Sequence, residues 1–190
     1  NREAAEKVVN NLVFKQCGQE NAFFEHGTNN IVMCYESIRR LGTKGQPTEQ
    51  TLKNQIMAMI YAMLHEYGHA ITAAKGGVLA VSGTEDSADA FAAALVKKAH
   101  IEREILGAVL TQDMRGSLWH DINRLLSTPT NDPHSLETIR RANAVCWIAG
   151  DLPDVLAGAV HRAYITRARA SQCAQESAEI ERRVNEIIAM

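Results

Sequence analysis

The chain predicts an α+β fold dominated by helix, on three observations. From Thr48 to about Lys75, Ile56, Ile60, Met63, Tyr67 and Ile71 recur at steps of three and four, the stripe of a long amphipathic helix. Helix-compatible segments fill most of the second half, divided by Pro129, Pro133 and Pro153. One short apolar run, Ile31 to Tyr35, has strand character, so the β element is small and lies near the front.

Taken in order, Asn1 to Val13 is helix-compatible through Ala4, Val8, Val9 and Leu12. Gln16 to Asn30 is rich in Gly, Asn and Gln and reads as irregular, and after the Ile31–Tyr35 strand comes a polar linker from Gly42 to Pro47. Thr48 is a plausible N-cap for the long helix, which Gly76-Gly77 stops. A loop from Val78 to Gly83 leads to a second N-cap, Thr84, with Glu85 and Asp86 beside the positive end of the helix dipole. Ala88, Phe91, Ala92 and Leu95 form the core face of that helix. Further helices are expected over Ile101–Leu110, Ser117–Leu126, Ser135–Ala149 and, with a break, Asp154 to about Ile188.

The 190 residues suit a single domain, residues 1–190, long enough to bury a core. At 46% hydrophobic and 22% charged the chain has the composition of a folded protein. A net charge of −2 gives no electrostatic reason to bind nucleic acid or an anionic membrane, and 5% aromatics leaves little for a base-stacking surface. The longest apolar run, Ile56 to Leu64, is too short to span a bilayer. The chain opens at Asn1 with no initiator Met and no apolar leader, which reads as a mature or trimmed form.

Cys17, Cys34, Cys146 and Cys173 contain no C-x-x-C pair of the kind structural zinc sites use. Two disulfides in an oxidising compartment are one reading, and four buried thiols the other. Of the three pairings, Cys17–Cys34 with Cys146–Cys173 joins neighbours in the chain and is favoured.

His65-Glu66-Tyr67-Gly68-His69 is H-E-x-x-H within the long helix. Residues four apart lie one turn apart on one face, so both imidazoles can reach one metal ion. Glu66 is rotated about 100° around the axis, placed to work on a water rather than to ligate. Random usage would produce this pattern in such a chain on the order of once in two hundred. A catalytic zinc of this type needs a third protein ligand. Glu85 and Asp89 share a helix face sixteen residues and more beyond His69. Glu85 is placed to ligate, and Asp89 to accept a hydrogen bond from a ligand histidine.

These motifs resemble a gluzincin-type zinc peptidase, and more narrowly a bacterial family of "putative metallopeptidases" catalogued as a domain of unknown function. Cys17 to Phe24 and Ile31 to Glu36 are similar to that family's front half. His134-Ser135-Leu136 with Cys146 to Gly150 is similar to its back half, and Arg167 to Cys173 to its closing segment. Tyr67 stands where Leu is commoner, and Thr84 where an acid is often found. The resemblance implies a zincin-like α+β core, disulfides and a secreted or periplasmic location.

The resulting expectation is a zinc hydrolase cleaving peptide bonds, with His65, His69 and Glu85 on Zn²⁺ and Glu66 as general base. His134, included in the resemblance, is the first candidate to stabilise the oxyanion, followed by Tyr35, Tyr61, His161 and Tyr164. His26, His100 and His120 read as structural, and Trp119 and Trp147 as core residues. An extended peptide substrate would pair with a strand edge, for which the Ile31–Tyr35 run is the candidate. Hydrolysis of a non-protein amide, or a zinc-stabilised extracytoplasmic binding domain without turnover, would use the same metal site. Nothing in the sequence sets the oligomeric state.

Overall fold

The computed structural model describes residues 8–41, 48–75, 84–110 and 137–189. It is mostly helical, with one three-stranded sheet near the front. Strands β1 (Asn11–Lys15), β2 (Ala22–Glu25) and β3 (Asn30–Cys34) lie in the order β1-β3-β2. β1 runs parallel to β3, with Asn11 opposite Asn30 and Lys15 opposite Cys34, and β2 runs antiparallel to it, with Phe24 opposite Ile31.

The β-branched and apolar Ile31, Val32, Met33 and Cys34 are buried on both faces, as a central strand requires. Tyr35 belongs instead to the first turn of α1 (Tyr35–Leu41). Leu12 and Val13, expected in a helix, are in β1, where pairing with β3 and the Cys17–Cys34 disulfide at the strand ends outweigh local propensity. Within Gln16–Asn30, expected to be irregular, Ala22–Glu25 forms the edge strand β2. The proposed substrate edge is corrected accordingly: β3 is the middle strand, its backbone groups engaged on both sides, and it presents no edge.

The long helix α2 (Glu49–Lys75) begins where expected, with Thr48 Oγ1 accepting the Thr51 N–H at 3.1 Å. Its buried face includes most of the predicted stripe and extends beyond it. Ile71 is buried, and Ile60, Met63 and Tyr67 pack half-buried against the core, whereas Ile56 is 52% exposed and Ala58, Tyr61, Ala62, His65 and Gly68 are buried beside them. The reason is the neighbour: α3 (Thr84–Lys98) packs along α2 through small residues. A Cβ on Gly68 would lie 2.9 Å from both the Cα and the carbonyl oxygen of Ala88, so this crossing needs glycine. Close approach of two backbones brings polar side chains from both helices within reach of one another.

The next elements are α4 (Glu102–Leu110), α5 (Glu137–Ile148), α6 (Pro153–His161), α7 (Arg167–Ala170) and α8 (Cys173–Ala189). α4 packs on α2, α5 on α3, and α8 on both α5 and α3. Tyr61, Phe91, Ile105, Leu106 and Ile148, all fully buried, mark the core where these helices meet. The expected break in the last segment falls around Ala163, in the left-handed region at φ 58°, before Thr166 caps α7 by accepting the Arg169 N–H. Ser117–Leu126, Gly76-Gly77, Trp119, His120 and His134 lie outside the described residues.

Two disulfides are present, Cys17–Cys34 and Cys146–Cys173, the pairing favoured from chain order. The first ties the end of β1 to the end of β3, and the second ties α5 to the start of α8. Trp147 is buried as expected, its indole N–H donating to Glu176 Oε2 at 3.1 Å. No described helix is long and apolar enough to cross a membrane.

Candidate metal centre and cavity

Helix α2 presents His65 and His69 on one face, and α3 presents Glu85 and Asp89 on the face opposite. The Gly68–Ala88 contact sits between these pairs along the helices and lets them meet. His65 Nε2 is 3.1 Å from His69 Nε2 and 3.2 Å from Glu85 Oε2, and His69 Nε2 is 3.3 Å from Glu85 Oε1. These three residues offer ligand atoms that all lie within 4.8 Å of one another.

The donor set decides what fits there. His65 Nδ1 lies 2.7 Å from Asp89 Oδ1, so a proton on Nδ1 points at that carboxylate and Nε2 faces Glu85 and His69, where loss of its own proton would free a lone pair for a metal. Glu85 Oε2 is buried and completes no hydrogen bond, its approach to His65 being close but misaligned. Without a metal, protons on the imidazoles hold these atoms together, and a metal ion would take the place of those protons. Two imidazole nitrogens and a carboxylate oxygen make a set that suits a divalent transition metal ion.

Electrostatics point the same way. Burial alone would depress the His65 imidazole, yet Asp89 against Nδ1, with Glu85 and Glu66 nearby, raises its pKa to about 10. Burial would raise the Glu85 carboxyl, yet His65 and His69 hold it well below the ordinary carboxylate range. Burial works against Asp89 too, and His65 and Arg140 keep it ionised. The pocket stabilises positive charge at its centre.

Glu66, one residue along α2 from His65, points into a cavity of about 390 Å³ lined by Phe23, Phe24, His26, Thr72, Ala73 and Thr84 together with His69 and Glu85. Glu66 Oε2 accepts the backbone N–H of Phe24 at 2.8 Å. Burial raises its pKa to about 7; Glu85 adds to that rise, while His65 and the Phe24 N–H oppose it. A carboxyl with that value takes up and releases protons near neutrality.

His65, Glu66, His69, Glu85 and Asp89 are thus brought together, as their spacing suggested. Tyr35, Tyr61, His161 and Tyr164 do not line the cavity: Tyr35 is 54% exposed at the start of α1, and Tyr61 is buried in the core. His26, read as structural, does line it, with its ring edge-on to Phe24 at 5.0 Å. Its only sequence signal would have been a position just past β2, a strand that itself escaped notice. Arg140 on α5 was also missed: its Nε donates to Asp89 Oδ2 at 2.7 Å, and its Nη2 lies 3.5 Å from Glu85 Oε2. An isolated arginine in an amphipathic helix carries no mark of such a role.

No curated protein and no solved structure gives a significant match to the chain. The family described as "Putative metallopeptidase" matches residues 7–187, nearly the full length, and the chain belongs to that family.

Proposed function

We propose that the chain is a single-domain zinc-dependent peptidase of gluzincin type with a zincin-like core, using His65, His69 and Glu85 to hold Zn²⁺. One observation carries this reading: three electron-pair donors converge beside a carboxylate, Glu66, that faces the same cavity. When bound, zinc supplies Lewis acidity, acidifying water and polarising an amide carbonyl. Glu66 is the general base. Its Oε2 is anchored by the Phe24 N–H, which leaves Oε1 to take a proton from water and pass it to the departing amine. Asp89 holds His65 in the tautomer that turns Nε2 inward.

The substrate edge in this reading is β2, the outer strand beside the cavity. Asn21 accepts from Cys34, so alternation turns the backbone groups of Ala22 and Phe24 away from β3. The Phe24 N–H serves Glu66, and the outward carbonyls of Ala22 and Phe24 are the acceptors for an extended peptide. His26 takes the role of oxyanion donor in place of His134, since it lines the cavity. Two disulfides support a secreted or periplasmic location.

The test is metal removal from the full chain. Chelator-treated protein should lose cleavage of a peptide library and regain it with one equivalent of zinc. Cleavage that survives complete zinc removal would defeat the proposal.

A further inference from the structure

Arg140 carries a buried positive charge that the reaction outlined above does not use. Its residue is 6% exposed, and its Nε donates to Asp89 Oδ2 at 2.7 Å while Asp89 Oδ1 faces His65 Nδ1 at the same distance. Its Nη2 lies 3.5 Å from the Oε2 atom of Glu85 that completes no hydrogen bond. One guanidinium therefore touches two carboxylates of α3, Glu85 and Asp89, from a third helix, α5. Resting on the zinc-peptidase reading, we infer that Arg140 is a positioning residue of the metal centre: it clamps Asp89 and Glu85 in the orientation that turns His65 Nε2 and Glu85 toward one ion.

The clamp follows from geometry. A carboxylate with one oxygen fixed by a planar guanidinium cannot swing, so its other oxygen meets the imidazole at a set angle. Without Arg140, Asp89 would keep only one of its two charged partners, and His65 could rotate with it.

The experiment compares full-length parent, Arg140→Gln and Arg140→Lys, each stripped with chelator and titrated with Zn²⁺ against a chromophoric competitor. The expected result is zinc affinity about 10- to 100-fold weaker in Arg140→Gln. Arg140→Lys, which keeps the charge and loses the fork, should fall about threefold to tenfold. A merely structural arginine would lower the melting temperature of the zinc-free variants and leave the affinity of the folded protein unchanged, which overturns the inference. If Arg140→Gln does not fold, Arg140→Lys decides alone, and parental affinity there overturns it. If the parent itself takes up no zinc, the peptidase reading fails first and the role of Arg140 falls with it.

Discussion

Glu66 on the central helix accepts the backbone N–H of Phe24 on the edge strand at 2.8 Å, across 42 residues of sequence. The bond joins the helix that carries the site to the strand that borders its cavity. Orientation of the base therefore depends on where the sheet sits. It also uses the one outward N–H of β2 nearest the cavity, so a peptide lying along that edge would rely on the strand's carbonyls. Interruption at residue 24 should disturb the base without touching the proposed ligands. Phe24→Pro, which removes this N–H, should reduce turnover by about tenfold or more and leave zinc content at the parental level. Parental turnover in the variant would show that the bond has no part in the chemistry.

The crossing of α2 and α3 depends on Gly68. Gly68→Ala places a methyl 2.9 Å from Ala88 backbone atoms, so the helices must separate. A loss of about 1–3 kcal/mol is expected in chemical denaturation, with weaker zinc retention because Glu85 moves off with α3. Parental stability would mean that the crossing has slack.

His26 faces the cavity and no described residue assigns it a structural bond, apart from its ring contact with Phe24. His26→Ala should lower kcat on a peptide library by about 10²-fold with zinc content unchanged. An unaltered kcat would return the oxyanion role to residues outside those described, His134 among them.

Each disulfide closes a loop of moderate length, with sequence separations of 17 and 27. Replacing either pair with alanine should cost about 3 kcal/mol, slightly more for Cys146 and Cys173. Equilibrium unfolding of the two double variants measures this directly.

The candidate metal site was legible in the sequence because helical spacing is local. His65, Glu66 and His69 are contiguous, and Glu85 and Asp89 sit four apart in a helix whose start is marked by Thr84. What escaped depends on packing between distant segments. β2 is four residues, Ala-Phe-Phe-Glu, too short for alternation to stand out, and β1 forms only because β3 lies beside it. The stripe on α2 holds at Ile71, which is buried, and at Ile60, Met63 and Tyr67, which pack half-buried against the core, but Ile56 faces outward. Ala58, Tyr61, Ala62 and Gly68, with His65 and Glu66, complete the buried face, because small residues set the close crossing with α3. This contrast has a test: Tyr61→Ala, at a fully buried site, should cost about 3–5 kcal/mol, and Ile56→Ala, half exposed, under about 0.5 kcal/mol.

In the proposed mechanism Glu66 acts as base beside a zinc held by His65, His69 and Glu85. Zinc content and peptide-library cleavage, measured together on parent and Glu66→Gln, separate catalysis from metal binding. About one zinc per chain is expected in both proteins, with cleavage reduced about 10²- to 10⁴-fold in the variant. Equal zinc and equal behaviour toward peptides in the two proteins would contradict it and leave a zinc-stabilised binding domain in its place.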